Sequence, residues 1–360
     1  QSLWISRLNR DDQHSVVNFG ILAAQKNRYY LSTRFVSGTH GMQKAHESLE
    51  TPMVGLSKGD WLEALATASD EMGFFEPLGT RHYASFIEKS DTLLVTFENL
   101  QGIQSLSENG QPLGWDMVRE NGWSHLCLIS DGDTWFRDGD VYEFFDLLVD
   151  DCFFDNYSKV IFYGAGPCGY AAAAFSVSAP GATVLAVQPQ ATLTPAVAGW
   201  DDRFIENRRM TFTDRYGFAP DMIEAAQHAF IVFDPYQRLD AMHAALFNGP
   251  NVTHLRMPHM GAALQGSLIA MEVFWQMLTD AGNGQLDVPS FAQLFRARRE
   301  YRPYLRFLLG VLEREDRTQL AIMLCSNVSN RMNAPLFRQR LKDLRIKHRA
   351  NQPQEAIFDS

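Results

Sequence analysis

Apolar residues along the middle of the chain fall in short continuous runs separated by longer amphipathic stretches. Leu93–Phe97, Leu126–Ser130, Val160–Tyr163, Thr183–Val187 and Phe230–Phe233 are such runs, most of them ending at Gly, Pro or Asp. Runs of this length and composition read as strands covered on both faces. A shorter one, Val252–Leu255, leads into Met257-Pro258-His259-Met260-Gly261. Between the runs, Val141–Phe154 and a segment from about Asp240 to Leu246 place apolar residues at helical spacing, as does Trp61–Met72 upstream. From about Ser290 the pattern is helical and basic to the end. This alternation predicts an α/β fold with a mostly parallel, doubly wound sheet. It divides the chain into an N-terminal extension (1–88), a core (89–285) and a basic helical C-terminal extension (286–360).

Composition sharpens this only in places. Apolar residues make up 46% and charged residues 21%, as in an ordinary globular protein, and 25 Phe and 7 Trp predict an aromatic core. No apolar run is long enough to span a bilayer, and Gln1–Trp4 lack the pattern of a secretory leader. The four cysteines, Cys127, Cys152, Cys168 and Cys325, are widely spaced, which predicts reduced thiols and a cytoplasmic protein. The net charge of −10 is uneven: Arg296–Arg349 hold 14 Lys and Arg against 5 Asp and Glu, a local +9, so the remainder carries −19. Such a tail suits an acidic partner or docking on the acidic body, and no nucleic-acid module accompanies it.

The candidate chemistry centres on one turn. Val160–Tyr163 run into Gly164-Ala165-Gly166-Pro167-Cys168-Gly169 and then a helix opening Tyr170-Ala171-Ala172-Ala173-Ala174. Gly164, Gly166 and Gly169 spell the dinucleotide turn G-x-G-x-x-G, which would make a flavin- or nicotinamide-binding oxidoreductase. The acid expected at the end of the next strand is instead the neutral Gln188, followed by Pro189. The second machine with this outline is the nucleophile elbow G-x-S-x-G. It asks for an acid after a later strand and a histidine after the last one. Asp234 follows Phe230–Phe233 and His259 follows Val252–Leu255, with Asp240 the second candidate for the acid and also a candidate helix cap. The elbow explains more of the chain, and no cofactor is expected.

With these residues in place, the segment Tyr163–Phe204 resembles a bacterial branch of the α/β-hydrolase superfamily. That branch has an elbow G-x-S-x-G-G-Y-A-A, a strand ending S-P-Q and then a W-D-x-R-F-like stretch. The matching residues are Gly164–Ala172, Gln188-Pro189-Gln190 and Trp200-Asp201-Asp202-Arg203-Phe204. The resemblance covers about residues 90–280 and implies a surface-polysaccharide or glycosyltransferase context, hence a polysaccharide-related or other small-molecule ligand. It also exposes a departure, because the family's serine falls on Gly166 and its next glycine on Cys168. The expectation is a degenerate hydrolase-like protein that binds a ligand or partner in the former active-site pocket. The alternative is an acyl hydrolase or transferase using Cys168, whose thiol would be acidified at a helix N-terminus, or a water activated by His259.

Three weaker groups complete the candidates. Glu98 and Asn99 follow the first strong strand, where oxyanion-hole donors arise. Arg203, Arg208 and Arg209, with Arg215 nearby, suit an anionic ligand. The acidic loop Asp131–Asp140 lacks the spacing of a calcium site, so no metal is expected.

Overall fold

The computed structural model describes residues 49–350. Helix α1 (Lys58–Met72) is capped by Ser57, whose hydroxyl accepts from the Asp60 backbone N–H, and it buries Trp61, Leu65 and Ala68. Strands β1 (Gly73–Leu78), β2 (His82–Ile87) and β3 (Thr92–Asn99) follow, then α2 (Leu100–Leu106), α3 (Gly114–Glu120), β4 (Ser124–Ser130) and α4 (Gly139–Asp150). Next come β5 (Lys159–Ala165), α5 (Pro167–Phe175), β6 (Thr183–Val187), β7 (His228–Phe233), α6 (Arg238–Leu246) and β8 (Val252–Arg256).

The eight strands form one sheet in the order β1-β2-β4-β3-β5-β6-β7-β8. β1 and β2 run antiparallel to their neighbours, and every pair from β4 to β8 is parallel. The fold is a mostly parallel, doubly wound α/β sheet, followed by a helical C-terminal region. Strands β1 and β2 fall within the stretch that patterning leaves in an N-terminal extension. Pro77 and Glu76 interrupt the apolar run of β1, which an edge strand tolerates because one side of it needs no ladder.

Each face of the sheet has its own core. One is aromatic, with Phe97, Phe145, Phe175 and Tyr216 stacked around the all-small stretch Ala171–Ala174, whose fully buried alanines let α5 lie close on the strands. On the other, Leu94, Ile161, Tyr163 and Leu185 pack under α7 (Leu264–Ala270) and α8 (Phe274–Gly282). Downstream, α9 (Val288–Leu294) opens with a capping box at Asp287 and Ser290. Helices α10 (Arg302–Arg314), α11 (Thr318–Arg331) and α12 (Pro335–Ala350) gather a separate apolar cluster, including Leu305, Leu309, Cys325, Val328 and Phe337. Several basic residues of this region are paired within it: Arg340 with Glu313, Lys347 with Asp316 and Arg331 with Glu300. No helix among the described residues is long and apolar enough to cross a membrane.

Candidate functional site

The glycine turn is built as a strand-to-helix elbow. Gly166 sits between β5 and α5 with φ 58° and ψ −126°, a backbone that side-chain-bearing residues adopt only under strain. A Cβ on Gly166 would meet nothing within 4 Å, so the space beside it is open. Gly164 is different: a Cβ there would collide with the Cys168 carbonyl. At Gly169 it would come within 3.1 Å of the Gly164 and Val187 carbonyl oxygens. The outer two glycines therefore serve close packing, and the middle one serves conformation.

Pro167 changes what the turn offers. In an elbow, the backbone N–H after the nucleophile is one donor of the oxyanion hole. Pro167 occupies that position and has no N–H. The residue was visible in the sequence, where its fit to the first turn of a helix conceals the donor it removes.

Cys168 follows in the first turn of α5 and lines a cavity described below. Burial raises its thiol well above the ordinary range, and Glu98 and Asp133 push the same way. This corrects the expectation of an acidified thiol, because desolvation outweighs a half-charge helix terminus. Cys168 makes no hydrogen bond to His259.

Asp234 and His259 are brought together, but through the backbone. The fully buried Asp234 carboxylate accepts from the N–H groups of Tyr236 (2.9 Å), His259 (3.1 Å) and Gly261 (2.8 Å). The His259 backbone is held at φ 65°, and its ring stacks on Tyr236 at 3.9 Å between centroids. Asp234 thus shapes the loop, and no described acid bonds the His259 imidazole.

Asp240 is not a helix cap, since Gln237 holds that position. Its carboxylate takes Arg203 at 2.6 Å and the Gln188 side-chain amide at 2.7 Å, and Gln188 Oε1 accepts from the Leu264 N–H at 3.1 Å. Arg203 also chelates Asp201, which accepts from His243 Nε2 at 3.0 Å. His243 Nδ1 accepts the Ala191 N–H, so its proton sits on Nε2. Burial lowers the His243 pKa despite this acid. Burial alone would raise Asp201, but its bonds to Arg203 and His243 hold it below the usual range. The W-D-x-R-F and Q-P-Q stretches therefore build one hydrogen-bonded bracket across β6, α6 and α7.

The arginines do not converge. Arg203 is spent in that bracket, and Arg208 donates to the carbonyls of Ala198, Gly199 and Asp201. Arg209 pairs only with Glu206 on the surface, and Arg215 pairs with Asp146. The acidic loop is likewise engaged: Asp131 lies 2.5 Å from Lys58 Nζ, and Asp138 caps α4.

Open space lies on the β3–β4 side of the elbow. A cavity of about 610 Å³ is bounded by Glu98, Asn99, Trp135, Tyr163, Cys168 and Trp275, and the neighbours of Gly166, Ala165 and Pro167, also reach it. Asn99 caps α2, accepting from the Gln101 and Gly102 N–H groups. Glu98 is buried and accepts from the Leu113 N–H, the Thr96 hydroxyl at 2.7 Å and the Cys127 thiol at 3.4 Å. Burial raises its carboxyl despite these donors. Thr96 in turn meets His125 Nε2 at 2.9 Å, while His125 Nδ1 has no partner. Burial drives His125 down to about 3. The donor atoms of Glu98, His125 and Cys127 lie within 4.8 Å of one another. Together with Thr96 they form one hydrogen-bonded chain, and burial raises the Cys127 thiol well above its ordinary range. Sequence reading missed Thr96, His125 and Cys127; their signal was polar residues at every second position of two buried strands.

No protein-family model and no curated protein matches the chain. Solved structures do. The glycosylation-associated Gap123 complex from Streptococcus agalactiae is similar over 55% of this chain at 11% identity and a TM-score of 0.37; the match spans 44% of that chain, less than half its length. Est1E from Butyrivibrio proteoclasticus is similar over 56% of this chain and 96% of its own, at 12% identity and a TM-score of 0.38. A capsule O-acetyltransferase of Neisseria meningitidis serogroup A is similar over 57% of this chain and 94% of its own, at 12% identity and a TM-score of 0.37. Likeness at this level concerns the course of the backbone and carries nothing about chemistry.

Proposed function

We propose that this chain is a degenerate α/β-hydrolase-like protein that binds a small ligand in the cavity at the carboxyl edge of β3, β4 and β5. The observation that carries this reading is the pair Gly166-Pro167, which removes the nucleophile and one oxyanion donor from an otherwise retained elbow. Loss of a triad nucleophile costs about a million-fold in rate, and loss of an oxyanion donor about a hundred- to a thousandfold. The Asp234–His259 pair does not offset this, because Asp234 is bonded to backbone groups. Meanwhile the cavity persists, with buried polar groups in its wall.

The test is intact-mass analysis after exposure to a broad ester-mimicking probe, with peptide mapping of any adduct. No stoichiometric adduct is expected. A stoichiometric adduct on Cys168 that disappears in His259→Ala would overturn the reading in favour of a relocated nucleophile.

A further inference from the structure

We infer that Glu98, His125 and Cys127 form a binding site for one zinc-like divalent transition-metal ion beside the β3–β5 cavity. Strand geometry puts the three donors together. Thr96 and Glu98 are two apart on β3, and His125 and Cys127 are two apart on β4, so each pair projects from one face of its strand. The parallel register sets Thr96 beside Cys127 and Leu94 beside His125, which brings both pairs to the same face. There a carboxylate oxygen, an imidazole nitrogen and the thiol sulfur lie within 4.8 Å of one another. His125 and Cys127 are fully buried and Glu98 is 9% exposed, so this is an interior group of donors and not a solvated surface cluster.

The spacing is close to that of a tetrahedral ion. Glu98 Oε1 and Cys127 Sγ are 3.4 Å apart. Oxygen and sulfur at about 2.0 and about 2.3 Å from a tetrahedral zinc ion stand about 3.5 Å apart, so one edge of the site is already made. The imidazole nitrogen completes the set with a closing movement of at most about 1.5 Å.

A second, independent observation is an unanswered lone pair. Thr96 donates its hydroxyl proton to ionised Glu98, so its oxygen accepts from His125 Nε2–H. His125 Nδ1 is then a bare acceptor, buried and without a partner, which costs free energy as it stands. A metal ion answers an imidazole lone pair while an outer-shell oxygen holds the other ring N–H, the part Thr96 has here.

The donor set also selects the ion. Mixed nitrogen, oxygen and sulfur donors suit zinc-like ions, whereas magnesium and calcium take shells of oxygen. An ionised Glu98 and a Cys127 thiolate together balance a divalent ion, so the loaded site adds no net charge to the interior. On binding, the Cys127 thiol releases its proton to solvent and the sulfur lone pair forms the metal bond. Three protein donors leave a fourth tetrahedral position. Glu98 borders the cavity, which gives the ion its way in and supplies the water that takes that position. The metal site does not depend on the small ligand proposed above, since all three donors belong to the strands.

The test uses the full chain, stripped with a chelator and desalted, then titrated with Co²⁺, whose absorption spectrum reports its ligands. About one Co²⁺ per chain is expected. It should show ligand-field bands of tetrahedral intensity and a near-ultraviolet thiolate-to-cobalt charge-transfer band, both bleached by added Zn²⁺. Cys127→Ser should abolish the charge-transfer band, while Cys152→Ser, Cys168→Ser and Cys325→Ser each keep it. Glu98→Gln and His125→Asn should each weaken Co²⁺ by more than the roughly 10- to 100-fold lost with an outer-shell partner. Circular dichroism checks that each variant is folded. On the wild type alone, calorimetry in buffers of different ionisation enthalpy should show at least about one proton released per metal bound. No tetrahedral spectrum, a charge-transfer band that survives Cys127→Ser, or metal binding without proton release would overturn the site. None of these results bears on the small-ligand reading, which the ester-mimicking probe tests separately.

Discussion

Asp234 and Glu98 are both buried carboxylates at the carboxyl edge of one sheet, and they are used in opposite ways. Asp234, on the β7 side, is consumed by three backbone N–H groups that fold the His259 loop. Glu98, on the β3 side, belongs to a side-chain network and faces open space, and burial raises its carboxyl. The β5–β8 half carries an acid and a histidine in the order a hydrolase would use, yet the Asp234 carboxylate and the His259 backbone N–H serve the scaffold. The β3–β4 half has no motif, yet it holds titratable groups in states that cost free energy. Motif order and chemical poise are separable in this fold, and poise is where a ligand is to be sought.

The contrast can be broken most forcefully with acid. His125 titrates near 3 in the folded chain against about 6.5 unfolded. The native state therefore binds fewer protons, and His125's contribution is full above pH 6.5 and lost as pH falls toward 3. At about 1.4 kcal/mol per pH unit the loss reaches about 3 kcal/mol at pH 4. Glu98 has the opposite sign, since its raised carboxyl favours folding below the ordinary carboxylate range and loses that contribution as pH rises through its own value. Urea midpoints measured from pH 7 to pH 4 should fall steeply for the wild type and much less for His125→Leu. Parallel curves would mean that the β3–β4 half is not the acid-sensitive one.

A comparably large effect separates two glycines of the elbow. Gly164→Ala drives a methyl into the Cys168 carbonyl and should cost about 3 kcal/mol or more, because neither backbone can yield. Gly166→Ala enters open space and should cost only about 1–2 kcal/mol, the strain of φ 58°. Thermal melts of the two variants check the ranking, and a reversal would deny the elbow geometry. Between these lies Asp234→Ala, which orphans the three N–H groups and should cost about 2–3 kcal/mol. If Asp234 is scaffold, the same variant leaves the response to the ester probe unchanged; a changed response would give it a chemical role.

The central strands were legible because each is a continuous apolar run. The elbow was legible because a close approach of two backbones admits only glycine. β1 and β2 were missed: Pro77 and Glu76 break the first, and His82 and Ser85 break the second, although both of the latter are buried. Their polar atoms find partners across the fold, His82 with Thr134 and Ser85 with Ser69. Among the candidates, Asp234 and His259 were found as neighbours, but which atoms meet was not visible. Arg203 and Asp240 were read as ligand-facing and catalytic, whereas they pair with each other.

By itself the sequence determined the layered α/β class, the mostly parallel run of strands and the glycine turn with Gly166 and Pro167 at its bend. These follow from local chemistry: side-chain periodicity, a missing Cβ and a missing N–H. Only the tertiary structure decided where each polar side chain spends its hydrogen bonds. Partners such as His243 and Asp201 are 42 positions apart, and Thr96 and His125 are 29. It also decided which thiol and imidazole lie deep enough for burial to overrule their neighbours. Desolvation depends on everything packed around a group, and a linear chain does not display its packing.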